Sequence, residues 1–322
     1  AAGTLSSAAN NLTVTGASTI GGTATVTSTS GTLTFAGAVT STGSLGSESG
    51  NLLFSSTLQS NGTWDIGTGS ATTSNYATST GTLNNGSGTL HVIADLWSTG
   101  TFNGQSGRVR FTGTSSTQNV QGASFYNVAS DKTSGTVFIQ ASNATVAGTL
   151  ITQGAGTINA LTNNLSVTGA TTNGDTATVT STSGTLTFTG TVTSTGSLGS
   201  QSGTMLFSST LQNNGTWAVG TGTATTTGHA TSTGTLNGGS GTLSASADLW
   251  ISGTFNVQTG KVRLSGSGSQ NITGTTYNNM DSTKSGGTAT FTANTTVGGT
   301  LTTLAAGTLS SAANNLTVTG AS

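Results

Sequence analysis

The chain contains no cysteine and no proline, and of its 322 residues only six Lys or Arg and seven Asp or Glu carry formal charge, for a net charge of −1. Without cysteine there is no disulfide framework and no thiolate metal site. Globular chains are ordinarily about one quarter charged. With so few cations there is no basic stripe to release counterions, which excludes a nucleic-acid binder that works by neutralising phosphates. Long apolar runs are missing too: nothing approaches the roughly 18 residues a membrane helix needs. No basic n-region followed by an apolar h-region opens the chain, so if the protein is exported its signal is expected outside this segment. Helical spacing is also absent, because the alternation in LTVT, LTFT and VRF has period two.

What the chain does have is 50 glycines set in a repeat. Residues 1 to 18, AAGTLSSAANNLTVTGAS, return letter for letter at 305 to 322, and GAGTINALTNNLSVTGAT at 154 to 171 is a close variant. The chain therefore divides into copy one (1–153), copy two (154–304) and the start of a third (305–322), expected to form one continuous solenoid. A finer period of 19 runs through Gly31, Gly50, Gly69, Gly88 and Gly107, and again through Gly43, Gly62, Gly81 and Gly100. Copy two repeats both series at Gly184, Gly203, Gly222, Gly241 and Gly260, and at Gly196, Gly215, Gly234 and Gly253.

Written in rows of 19 from Gly31, the apolar residues align. Position 3 reads Leu33, Leu52, Ala71, Leu90, Val109, and position 5 reads Phe35, Phe54, Thr73, Val92, Phe111. Position 9 reads Val39, Leu58, Ala77, Leu96, and position 15 reads Leu45, Trp64, Leu83, Phe102. Positions 3 and 5 share one face of a strand because side chains alternate. Positions 9 and 15 belong to two further short strands. The glycines mark corners where φ is positive or backbones crowd. This pattern predicts an all-β, right-handed parallel β-helix of about 19 residues per turn, with three short faces around a narrow core.

Two rows depart from the rule: Gly107 to Ser134 and Gly135 to Thr162 each run half as long again as the others, and GASFYNVASDKTS is expected to protrude as a loop. All six Lys and Arg fall in the long rows of the two copies, namely Arg108, Arg110, Lys132, Lys261, Arg263 and Lys284. With Phe125, Tyr126 and Tyr277 they form a candidate contact surface for a glycan or partner. The plainer alternative is that the Arg side chains point outward and pair with Asp131 and Asp281. Trp97 and Trp250 occupy position 10, off the inward columns, where an exposed indole can stack on a sugar ring or a neighbouring molecule. Trp64 and Trp217 read as core.

Catalytic and metal constellations do not emerge. His91 becomes Ser244 in copy two, Tyr76 becomes His229, Glu48 becomes Gln201 and Asp65 becomes Ala218. Asp95 and Asp248 recur, but each stands alone in its row, and acid-base hydrolysis needs two convergent carboxylates. Neither a cofactor nor a metal is expected, since seven scattered acids make no cation cage. The Asn-x-Ser/Thr triplets at Asn61, Asn143 and Asn271 follow from composition. An ice-binding hydroxyl lattice is interrupted at every second row, where TST gives way to QSN and WST. A membrane barrel lacks aromatic girdles, and its rows are too short for two spanning strands.

The segments GRVRFTGTSSTQNVQGASFYNVASDKTSGTVFIQASNATVAGTL and NNLTVTGAS resemble the β-strand repeats of very large bacterial surface and secreted proteins, broadly of the filamentous-haemagglutinin type. That resemblance spans essentially the whole chain and implies long fibres, adhesins or coats, without catalytic residues to transfer. The expectation is a structural, non-enzymatic part of an extracellular fibre, sheath or stalk at the cell surface. Its expected partners are copies of itself, end to end or side by side. An adhesin that binds glycans through the long-row loops is the alternative.

Overall fold

A computed structural model describes residues 3–114 and 117–320. Those residues contain strands and turns and no helix, so none of them forms a membrane-spanning helix. The chain falls into two compact units, residues 1–159 and 160–322. Each holds 24 described strands of two to five residues.

Within the first unit, strands follow one another around three faces and pair in parallel with the strands one turn before and after. The first face stacks Thr32–Phe35, Asn51–Phe54, Ser70–Thr73, Thr89–Val92 and Arg108–Phe111 in register, Leu33 on Leu52 on Ala71 on Leu90 on Val109. The second stacks Val39–Ser41, Leu58–Ser60, Ala77–Ser79 and Leu96–Ser98, and the third Ser44–Gly46, Thr63–Asp65, Thr82–Asn84 and Thr101–Asn103. The second unit repeats the arrangement, for example Thr185–Phe188, Thr204–Phe207, Thr223–Thr226, Thr242–Ala245 and Lys261–Leu264. The repeating row is therefore one turn of a parallel β-solenoid. Main-chain pairing links each turn to its neighbours, so stability is a nearest-neighbour sum along the stack.

The predicted inward columns form the core. All the residues named at positions 3, 5, 9 and 15 are buried except Phe102, which is half-buried. Phe35 stacks on Phe54 with centroids 5.4 Å apart and planes 3° from parallel, and Trp64 meets Phe54 edge-on at 5.8 Å and 83°. Phe188, Phe207 and Trp217 repeat this at 5.3 and 5.6 Å. Burying one such side chain contributes about 1.5–3 kcal/mol, which explains why one or two per face suffice. A further inward column at position 11 is polar: Ser41, Ser60 and Ser79 are fully buried. Sequence reading missed it, because serine carries no hydrophobic signal.

The repeating glycines are confirmed as corners, for one of the two anticipated reasons. None of the glycines in the period-19 series has positive φ; the left-handed positions lie elsewhere, as at Gly67 and Gly86. Instead the backbones crowd: a Cβ on Gly69 would sit on the Gly50 carbonyl oxygen, and one on Gly81 on that of Gly62. Each turn is stacked so closely at the corner that no side-chain carbon fits.

The long rows do not exist as such. Arg108 pairs with Asn127 and Thr117 with Thr136, each one ordinary row further along, while Thr136 pairs with Thr157 and Val128 with Leu150 across turns only slightly longer. Turns of ordinary size continue to residue 159, and GASFYNVASDKTS supplies the strands Ser124–Phe125 and Asn127–Ser130 rather than a protruding loop. The glycine marker failed because the corner one turn after Gly107 is occupied by Tyr126.

The sequence repeat and the turn do not share a period. In the first unit Thr4–Ser6 and its sequence equivalent Thr157–Asn159 are the first and twenty-fourth described strands, 23 strands apart, or seven turns and two thirds. Thr4–Ser6 pairs with Thr25–Thr27 on the third face, whereas Thr157–Asn159 pairs with Thr136–Phe138 on the second. In the second unit, Leu165–Val167 and Leu316–Val318 likewise occupy different ladders. Equivalent sequence is thus built onto different faces.

Candidate functional site

The charged residues divide into an outward group and an inward pair. On the first unit Arg108 is exposed, and the Arg110 guanidinium donates to Asp131, one turn on. His91 stands in register with Arg110; burial lowers its pKa, Arg110 lowers it further and Asp131 opposes both. On the second unit Lys261 Nζ lies 2.9 Å and Arg263 Nη2 3.2 Å from Asp281 Oδ2. Both arrangements are cross-strand pairs that use up the acid; the part-exposed Arg110–Asp131 pair adds little stability, whereas Asp281 is buried and held by its two cations.

Lys132 and Lys284 are fully buried, which corrects their assignment to a contact surface. Lys284 Nζ donates to the Gly268 carbonyl at 2.7 Å and to Gln270 Oε1 at 3.0 Å, and Gln270 Nε2 in turn donates to the carbonyls of Ala245 and Ala247 at 3.0 and 3.1 Å. In the first unit Gln118, also buried, donates from Nε2 to the carbonyls of Val92 and Thr112 at 3.0 and 3.1 Å. Burial lowers the pKa of both lysines. The corner is wider here: five residues instead of three separate the first-face strand from the second, and the carbonyls of Thr112 in the first unit and Gly268 in the second turn inward. In the second unit a long cation supported by a glutamine satisfies the Gly268 carbonyl; in the first, Gln118 takes the Thr112 carbonyl. The signal was present in the sequence, since Gln118 and Lys132, and Gln270 and Lys284, keep the same spacing of 14.

Phe125 and Tyr277 are likewise core residues, not contacts. Phe125 packs edge-on against Phe102 at 5.1 Å, and Tyr277 lies tilted against Phe255 at 5.5 Å, with its hydroxyl donating to the Thr273 carbonyl at 2.6 Å. Burial pushes the Tyr277 phenol well above the ordinary value. Tyr126 is exposed, as expected.

Trp97 is half-buried and Trp250 is 39% exposed, both facing away from the core. Two residues ahead of each stands the recurring acid. Asp95 Oδ1 accepts the Asn119 main-chain N–H at 2.7 Å and its Oδ2 the Asn119 amide at 3.2 Å. Asp248 Oδ1 accepts the Asn271 N–H at 2.7 Å, and its Oδ2 lies 3.2 Å from His229 Nδ1. The acids anchor the start of the next turn's strand. Among the described residues no three His, Asp or Glu side chains converge on a metal position.

Compared with known proteins, the chain matches no family model, no curated sequence and no solved structure.

Proposed function

We propose that this chain is a structural, non-enzymatic segment of an extracellular fibre, sheath or surface stalk, assembled from copies of itself placed end to end. The observation that carries this reading is the repetition of whole turns. Core columns, corner glycines and even a buried Gln and a buried Lys 14 residues apart are kept in two copies, as repetitive assembly requires and a single reaction centre does not. The outward surface is mainly Thr, Ser and Asn, with side-chain ladders such as Asn103 to Asn84 and Asn256 to Asn237, each 2.7 Å, that reinforce the stack. The resemblance to filamentous surface repeats supports the same placement outside the cell.

Recognition through residues 122–134 has less support, since Phe125 and Lys132 in that segment are interior. Negative-stain electron microscopy with fibre diffraction of the purified chain is the test. Fibres with a meridional repeat near 4.8 Å are expected. Discrete particles that do not grow with concentration would overturn the reading.

A further inference from the structure

Each unit carries an outward column that breaks its own rule at the same place. In the first unit Thr19, Thr40, Gln59, Thr78 and Trp97 stand in register on successive turns; in the second the column reads Thr172, Thr193, Gln212, Thr231 and Trp250. Four turns fill the position with a small or amide side chain. The fifth places an indole there, in both copies, although the core lies on the opposite side of the strand. With Trp97 half-buried and Trp250 39% exposed, each indole leaves part of a large aromatic face uncovered on the pleated surface. Threonine one turn earlier shows that the position does not need it.

The surroundings are polar and pre-positioned. Asp95 and Asp248 are locked by the hydrogen bonds from Asn119 and Asn271, so each carboxylate keeps a fixed direction with lone pairs to spare. One turn earlier, Tyr76 is 41% exposed, and its counterpart His229 contacts Asp248. In the second unit, a shallow groove lined by Thr191, Val192, Thr193, Thr210 and Gln212 lies on the same column two turns before Trp250. An aromatic plane two residues along the chain from a held carboxylate, on a column of hydroxyls and amides, matches a ring with one apolar face and equatorial hydroxyls. The carboxylate disfavours an anionic ligand, which points to a neutral one.

We propose that this face is a saccharide platform in each unit, on which the Trp97 or Trp250 indole stacks against a neutral pyranose while Asp95 or Asp248 accepts hydrogen bonds from its hydroxyls. The site stands apart from the Arg and Lys cluster and holds whether or not the chain forms fibres.

The test is a neutral-glycan array and pull-down on insoluble polysaccharides with the full chain, followed by tryptophan-fluorescence titration with each glycan that binds. Trp64 and Trp217 are buried, so a fluorescence change reports the two outward indoles. Trp97→Thr with Trp250→Thr installs the residue of the preceding turn and should melt like the parent. Binding to at least one neutral glycan is expected, weakened tenfold or more in this double variant and unchanged in Arg108→Ser with Lys261→Ser. Asp95→Asn with Asp248→Asn, which keeps the turn anchored, should also weaken binding. Three results would overturn the proposal: no neutral glycan retained, equal affinity in the tryptophan variant, or loss confined to the Arg108 and Lys261 variant.

Discussion

The buried polar column differs between the two units in a way that isolates what a hydroxyl contributes inside a solenoid. In the first unit it runs Ile20, Ser41, Ser60, Ser79, Ser98; in the second, Asn173, Ser194, Asn213, Ser232, Ile251. Asn213 Nδ2 reaches Ser232 Oγ at 3.0 Å and the carbonyls of Gly215 and Thr235 at 3.2 and 3.4 Å, and Asn173 Nδ2 reaches Ser194 Oγ at 3.1 Å. In the first unit Ser41 donates to the Gly43 carbonyl at 3.3 Å, but Ser60, Ser79 and Ser98 have buried hydroxyls with no partner among the described residues. The strands pair in the same register in both, and Asn213 still leaves its Oδ1 buried without a partner among the described residues. What differs is whether a longer amide bridges one turn to the next, and buried polar groups are stabilising only when they are bonded.

The largest effect should fall on what the two units share. Gly69→Val and its counterpart Gly222→Val force a side chain onto the carbonyl of the preceding turn, and each should cost about 3 kcal/mol. Gly16→Ala, with no neighbouring atom within 4 Å, should change the melt little. Unequal losses at Gly69 and Gly222 would show that the two units do not share one corner geometry.

Next in size is Lys284→Met, which strands the Gly268 carbonyl and Gln270 Oε1 and should cost about 2–3 kcal/mol by denaturant unfolding. Because burial lowers its folded pKa, the parent should gain stability as the pH rises toward the ordinary lysine value, and the Met variant should lose that gain.

The comparison itself is tested by exchange. Asn213→Ala should cost about 2 kcal/mol, whereas Ser60→Ala removes an unbonded hydroxyl and should be neutral or stabilising. Ser60→Asn should transplant the bridge to Ser79 and raise protection of the neighbouring turns by about 1 kcal/mol, read by amide hydrogen exchange. A loss on Ser60→Asn would show that the first unit lacks room for the amide.

The smallest change is Tyr277→Phe, which copies Phe125 of the first unit and should cost about 1 kcal/mol at neutral pH through the bond to Thr273. With the folded phenol raised, its contribution is complete below the unfolded value near 10 and falls as the pH climbs beyond it. Thermal melts above pH 10 should therefore fall more steeply in the parent than in the variant.

Much of this architecture is legible in the sequence. The columns that begin at Leu33, Phe35, Val39 and Leu45 recur once per row, and period-two alternation on a short strand admits only one inward set. Trp97 was legible as outward for the same reason. The environment of Phe125, Lys132, Tyr277 and Lys284 was not, because it rests on a corner that widens by a few residues and hides the glycine marker at Tyr126. A lysine in a Ser/Thr-rich stretch reads as solvated unless the carbonyls it satisfies are known to point inward.

By itself, then, the sequence determined the turn length, the three faces, the apolar columns and the glycine corners, since each follows from local alternation repeated at a constant interval. Tertiary structure alone decided which polar groups lie inside, that Asn213 bridges two turns while Ser60 does not, and that the sequence repeat closes after 23 strands, two thirds of a turn past seven. These depend on contacts between residues a full turn apart in the chain. Their positions are set by how many residues each corner consumes, a quantity that composition and periodicity do not encode.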